Sequence, residues 1–253
     1  MASANFRFKQ FTVWHDRCAM KVGTDGVLLG AWCPIAIDSL QSPINNQQQR
    51  KFRVLDVGTG SGLIAMMVAQ RATTIDNITT LIDTIDIDAG AAEQAKYNFE
   101  QSPWSNLLNI YQSSLQEWQS EEKYDLIVSN PPYFQGSLKN PDAQRATARH
   151  TDSLSYSELI KHSERLLKDD GMLALVLPIE AEEDILSLAA AAGLLLTHIT
   201  YVHTKPGKPT KRILIALKKG TGNEKVSSNN FYIESEDSPR SEGYRKLTEE
   251  FYL

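Results

Sequence analysis

The chain has 253 residues, a mass of 28.3 kDa and a formal net charge of −5, with 42% hydrophobic and 23% charged residues. Those proportions suit a globular α/β protein and speak against a strong non-specific polyanion binder, while leaving room for a local basic patch. No apolar run is long enough to cross a bilayer, Met1-Ala2-Ser3-Ala4-Asn5 is no apolar leader, and Cys18 and Cys33 lack CxxC spacing, so a cytoplasmic protein with reduced thiols and no metal is expected.

Phe6-Arg7-Phe8-Lys9-Gln10-Phe11 alternates apolar and polar residues, which predicts a short edge strand. Residues 21–26 read as a loop, and 27–32 as a short helix opening after a Thr24/Asp25 cap. The Gln/Asn-rich stretch 41–50 reads as a solvated connection. Periods then alternate. Strands are predicted over 52–57, 81–87, 108–111, 125–129 and 172–177. Helices are predicted over 63–71, 89–100, 155–167 and 180–192, with one helical turn over 115–118. Nearly all-apolar strands separated by helices imply a doubly wound parallel sheet. Residues 194–202 and 212–217 are strand-like with no helix between them, so they must pair antiparallel. Residues 220–224 and 235–241 are expected to be mobile, and 244–253 to dock as a short helix. One globular unit follows, with an N-terminal segment and linker (1–50) packing on the site, a core (51–219) and a tail (220–253).

The first strand runs into Asp56-Val57-Gly58-Thr59-Gly60-Ser61-Gly62. Its glycines permit a tight turn and close ligand approach, and the helix that follows offers free N–H groups to an anion. The spacing is G-x-G-x-G, with Leu63 where a dinucleotide fingerprint needs its third glycine. Asp56 at the strand tip suits a cationic ligand such as S-adenosylmethionine, whose carboxylate can take the helix N–H groups. Asp86, at the second strand's tip, is placed to accept hydrogen bonds from a ribose diol, and Asp88 reads as the cap of the next helix. At the third strand's tip no carboxylate is present, so Ser113, Ser114 or the backbone must meet an adenine amine.

Asn130-Pro131-Pro132-Tyr133 ends the fourth strand. Two prolines stop a ladder and leave carbonyls pointing past the sheet. The Asn130 amide accepts and donates, and Tyr133 offers a flat ring. With the Pro131 carbonyl they form a holder for a planar –NH2 group, an ordinary Pro-Pro turn being the plain alternative. Basic residues border this motif: Lys139, Arg145, Arg149 and His150 after it, Lys205, Lys208, Lys211 and Arg212 on the late hairpin, and Arg7, Lys9, Arg17 and Lys21 near the start. His15 reads as structural.

Together these residues, with Phe8-Lys9-Gln10-Phe11, residues 15–26, Gln101-Ser102-Pro103-Trp104 and the closing Phe251-Tyr252-Leu253, resemble the bacterial tRNA1(Val) adenine-N6 methyltransferase family of class I S-adenosylmethionine-dependent enzymes. The resemblance spans nearly the whole chain. It implies a Rossmann-like seven-stranded sheet, mostly parallel, with an antiparallel C-terminal hairpin. It implies methylation of N6 of the adenine just 3′ of a valine tRNA anticodon; a monomer is expected. It implies a pocket wall formed by Lys21, Gly23, Thr24 and Asp25, and a catalytic Asn130-Pro131-Pro132-Tyr133. Ser114 stands where that family often has an acidic residue. The same amine holder also serves protein glutamine or another nucleic-acid adenine, and an RNA-binding protein that merely kept the cofactor fold is the third reading.

Overall fold

Phe52 begins six buried residues in β3 (Arg50–Val57), and their side chains alternate across the sheet. Phe52 and Val54 join one hydrophobic cluster, Leu55 and Val57 the other. A strand apolar on both sides has to be covered on both. The computed structural model describes residues 4–18, 20–35, 50–132, 154–222 and 225–253. In it β3 pairs parallel with β4 (Ile78–Asp86) on one side and with β6 (Tyr124–Ser129) on the other. β5 (Leu108–Gln112) extends the sheet beyond β4, and β7 (Leu167–Pro178) extends it beyond β6, both parallel. β9 (Thr210–Lys219) then pairs antiparallel with both β7 and β8 (Leu194–His203).

The full order is β10-β8-β9-β7-β6-β3-β4-β5. From β3 the chain winds outward through β4 and β5, then returns to β6 on the other side. Ligands of open α/β sheets bind where strand order reverses in this way, beyond the carboxyl ends of the two central strands. Helices α1 (Thr24–Trp32), α2 (Leu63–Ala72), α3 (Ala89–Glu100) and α6 (Glu242–Thr248) contribute to the cluster on one face. Helices α4 (Tyr156–Leu166) and α5 (Glu182–Ala191) cover the other. Among the described residues no helix is long and apolar enough to cross a membrane.

The expected doubly wound, mostly parallel sheet with its antiparallel hairpin is present. Its seven strands have an eighth beside them, β10 (Ser227–Tyr232), paired parallel with β8. Its sequence, SSNNFY, has neither apolar alternation nor length. It is held from the side: His203 stacks on Tyr232 at 5.0 Å, and its Nε2 lies 2.9 Å from Asn230 Oδ1. Residues 6–11 are not one edge strand. β1 (Asn5–Arg7) and β2 (Thr12–Trp14) form a separate antiparallel pair, closed by Phe8 N–H donating to Phe11 O at 2.8 Å. Phe8 and Phe11 are buried and stacked at 4.7 Å, so their burial folds the segment back on itself.

Helix α1 starts earlier than expected. Thr24 and Asp25 lie inside its first turn, and its cap is Gly23, with no side-chain cap hydrogen bond. The Asp25 carboxylate is committed elsewhere, accepting from Arg212 Nε at 3.0 Å. Residues 235–241, expected to be mobile, form a turn closed by Ser235 N–H to Ser238 O at 3.0 Å and Ser241 N–H to Ile233 O at 2.7 Å. Helix α6 stops at Thr248, and the residues after it dock without helix: Phe251 is buried and its carbonyl accepts the Lys9 N–H at 2.8 Å.

Candidate active site

The loop between β3 and α2 crosses the tip of β4. The Gly58 and Thr59 N–H groups both donate to Ile85 O, at 2.9 and 3.1 Å. Gly58 and Gly60 have φ of +69° and +56°, and a Cβ on either would meet nothing within 4 Å. Their glycine identity serves the left-handed backbone and keeps the space above the loop clear. Gly62 differs: a Cβ there would lie 2.3 Å from Phe99, so it serves helix packing. Gly62 caps α2 without a side-chain hydrogen bond, and in the first turn the Ala65 N–H is drawn to Asp56, which leaves the N–H groups before it to meet an anion.

Asp56 is fully buried beneath this loop. Thr59 Oγ1 donates to its Oδ2 at 2.7 Å, and its Oδ1 has no hydrogen-bond partner among the described residues. Burial pushes its pKa up to about 7, against the pull of the Thr59 hydroxyl and the Ala65 N–H and with a smaller push from Asp86. Asp86 is half-buried. Its Oδ2 accepts the Gly60 N–H at 2.8 Å and its Oδ1 the Asp88 N–H at 3.0 Å. Both oxygens keep a lone pair for further donors such as ribose hydroxyls. Asp88 caps α3, accepting the Ala91 N–H at 2.7 Å.

The N-terminal segment lies against the first turns of α3. Arg17 N–H donates to Gln94 Oε1 at 3.1 Å, and a Cβ on Gly90 would sit 3.3 Å from Arg17 O. Cys18 is close enough to Asp86 to feel its charge. Burial first, then Asp86, Asp88 and Asp16, push the thiol up to about 11, so it stays neutral. His15 is buried, in keeping with a structural role.

Across the switch point, Val57 and Ser129 face each other in register, and Ser129 Oγ donates to Val57 O at 2.8 Å. That bond ties the two strand tips together. Asn130, half-buried, therefore emerges beside Gly58, followed by buried Pro131 and exposed Pro132. Tyr133, Lys139, Arg145, Arg149 and His150 lie outside the described residues. Beyond β5, Ser113 N–H donates to Asp86 O at 3.0 Å. Ser114 Oγ donates to Glu117 Oε2 at 3.1 Å and accepts the Glu117 N–H at 3.3 Å.

Lys21, Gly23 and Thr24 are exposed at the start of α1. The Arg212–Asp25 ion pair brings together two residues expected in different roles, and the guanidinium's charge is spent within the protein. Lys205, Lys208 and Lys211 are exposed around the β8–β9 turn. β8 runs in the same direction as the parallel strands, so this turn shares the sheet edge with Asn130. Three strand spacings separate β8 from β6, about 14 Å. Among the described residues no three His, Cys, Asp or Glu side chains are grouped to hold a metal ion.

The family model for the methyltransferase small domain matches residues 36–186. A tRNA1(Val) (adenine(37)-N6)-methyltransferase of Parabacteroides distasonis is 47% identical over 255 aligned positions, covering 100% of this chain and 99% of the relative. The chain belongs to that methyltransferase family. Solved structures agree on the fold. A predicted O-methyltransferase from Agrobacterium tumefaciens superposes with a TM-score of 0.65 at 16% identity, covering 90% of this chain and 96% of its own. A Listeria monocytogenes protein assigned to the class I S-adenosylmethionine-dependent methyltransferases gives 0.59 at 12% identity, covering 83% of this chain and 68% of its own.

Within this methyltransferase, two residues absent from the sequence reading stand out. Asn98, fully buried in α3, accepts the Trp14 N–H at 3.0 Å and donates to Trp14 O and Ser61 O, both at 2.8 Å. It ties the N-terminal segment to the glycine loop. In the sequence it is a polar residue on an Ala-rich helix, and nothing marks its buried face. Glu117 is the other, a carboxylate one turn beyond β5, held by Ser114. The missing acid at the third strand's tip signalled that such a group was needed, but not where it stood.

Proposed function

We infer that this chain transfers the methyl group of S-adenosylmethionine to the exocyclic N6 amine of an adenine in tRNA, at position 37 of tRNA1(Val), the substrate in its relatives' names. The observation that carries the reading is the placement of Asn130-Pro131 beside Gly58 at the reversal of strand order. An amine holder and a glycine cradle then face one crevice.

The residues fit the cofactor. Clear space over Gly58 and Gly60 admits its backbone-sized end, and the uncapped N-terminus of α2 meets a carboxylate. Asp86 accepts from ribose hydroxyls, and Glu117, oriented by Ser114, accepts from the adenine amine in place of an acid at position 114. When bound, the cofactor supplies an electrophilic methyl group on a sulfonium. The lone pair of the target amine is delocalised into its ring, which makes it a poor nucleophile. Asn130 Oδ1 and the Pro131 carbonyl accept its two hydrogens and draw the nitrogen toward tetrahedral geometry. The same two dipoles stabilise the positive charge that develops there. Positioning supplies much of the remaining acceleration. The base leaves its stack to enter, which costs least for an unpaired loop nucleotide, and Tyr133 takes over the stacking. The exposed lysines of the β8–β9 turn, with Arg145, Arg149 and His150, serve the RNA backbone. A cytoplasmic monomer acting on the anticodon loop completes this reading.

Asn130→Ala is expected to lower methyl transfer to tRNA about 10²-fold or more while leaving cofactor affinity within threefold. Equal loss of both would overturn the role given to Asn130. Labelled cofactor incubated with RNA from cells lacking this protein should mark one adenosine; label in protein instead would favour glutamine methylation.

A further inference from the structure

Away from the crevice, the β1–β2 hairpin and the last turn of α3 enclose a cleft of about 400 Å³. Its lining includes Arg7, Lys9, Gln10, Trp14, Tyr97 and Gln101. The chain as a whole has 31 acidic and 26 basic residues, yet none of the residues lining this cleft is acidic. Among the described residues Arg7 has no ion-pair partner, and the side chains of Gln10 and Gln101 make no hydrogen bond. Trp14 and Tyr97 meet edge to face at 6.3 Å, and Tyr97 is 42% exposed. An open ring, unengaged amides and a free guanidinium in one concavity are the groups that seat an unpaired nucleotide. The ring stacks on the base, the amides meet its polar edge, and the cation meets a phosphate. The volume lies within the range of small-ligand sites.

Helix α3 runs from the cleft to the crevice. Its first turn is capped by Asp88, two residues after Asp86, and Tyr97 lies eight residues beyond Ala89, the first residue of the helix, about 12 Å of helix rise. Asn98, the residue after Tyr97, bonds both to Trp14 beside the cleft and to Ser61 in the glycine loop. We propose that this cleft is a second RNA contact, holding an unpaired nucleotide of the substrate tRNA apart from the one that is methylated. The proposal rests on the tRNA reading above and adds a site whose lining shares no residue with the β8–β9 turn.

The test is the Arg7→Gln/Tyr97→Ala double variant of the full chain, compared with the conservative Arg7→Lys/Tyr97→Phe pair. Affinity for unmodified tRNA is measured directly, alongside tRNA KM, kcat and cofactor affinity. The expected result is a loss of tRNA affinity of about tenfold or more and an equal rise in KM. The plot of log affinity against log salt becomes shallower by roughly 0.7, one phosphate contact fewer. The kcat at saturating tRNA and the cofactor affinity stay within twofold, and the conservative pair recovers most of the binding. Unchanged tRNA affinity in a wild-type background that methylates tRNA overturns the cleft alone. A wild-type chain that methylates no tRNA, while the double variant still weakens RNA binding, overturns the functional reading and leaves the cleft standing. Loss of folding in the double variant would show as a lowered Tm. The Tyr97→Phe and Arg7→Gln single variants then decide: tRNA affinity unchanged in the first and reduced in the second supports the cleft, and affinity unchanged in both overturns it.

Discussion

At the scale of single residues, the adenine contact proposed above turns on Glu117. Ser114 cannot supply a charge, but it both donates to and accepts from Glu117, fixing that carboxylate beyond β5. A charge-assisted hydrogen bond is worth about 1.5–3 kcal/mol. Glu117→Gln should therefore weaken cofactor binding about tenfold, with tRNA KM unchanged, as titration calorimetry would report. Adding Ser114→Asp to that variant should restore most of the affinity. Normal binding by Glu117→Gln would remove the residue from the site. The substitution pattern was half visible in the sequence: the absence at 114 could be read, but the compensating acid could not, because only the turn after β5 brings position 117 back to it.

Among the elements, those with strong periodicity were legible, and those held by partners distant in sequence were not. β3, β6 and the β8–β9 hairpin follow from apolar runs and turn residues. β10 is recruited by contacts with His203, and the β1–β2 turn by the burial of Phe8 and Phe11. A buried polar network was equally hidden inside strands that read as apolar. Arg53 on β3 donates to Asp83 on β4, whose Oδ2 also accepts from Tyr124 OH at 2.9 Å and whose Oδ1 accepts from Asn109 Nδ2 at 3.1 Å. The guanidinium lies 4.8 Å over the Tyr124 ring, so one cluster links β3, β4, β5 and β6. Removing one partner of a buried ion pair leaves the other charge uncompensated, a cost of about 3–5 kcal/mol. Asp83→Ala should lose that much stability in urea unfolding and drop Tm by roughly 10 °C. An Arg53→Met/Asp83→Leu pair should recover a large part. A loss below about 1 kcal/mol for Asp83→Ala would mean the network is not locking the strands.

For the whole molecule, Asp56 couples the site to global stability. Its carboxyl is held at about 7 in the fold, chiefly by burial, against an ordinary value of 3.8. Between those values the native state keeps a proton that the unfolded chain has released. This group's contribution is therefore most favourable below pH 4, declines as pH rises toward 7, and is a constant penalty above it. The difference of about three pKa units corresponds to at most about 4 kcal/mol. Other carboxylates act with the opposite sign: Glu158, bonded to Ser155, is held below its ordinary range and loses its contribution as pH falls. The measurement that isolates Asp56 is the difference in unfolding free energy between Asp56→Asn and the parent chain across pH 4–8. The variant should gain relative to the parent by about 2–4 kcal/mol from pH 4 to pH 8, with the change centred between pH 5 and 7. At pH 8 it should also bind the cationic cofactor more weakly, because it lacks the charge the parent ionises at a cost. A flat difference would show that Asp56 is ionised throughout and that its burial is compensated within the fold. The predicted slope would instead mean that the protein carries a destabilising carboxylate beneath the glycine loop, where a cationic ligand can recover part of that energy on binding.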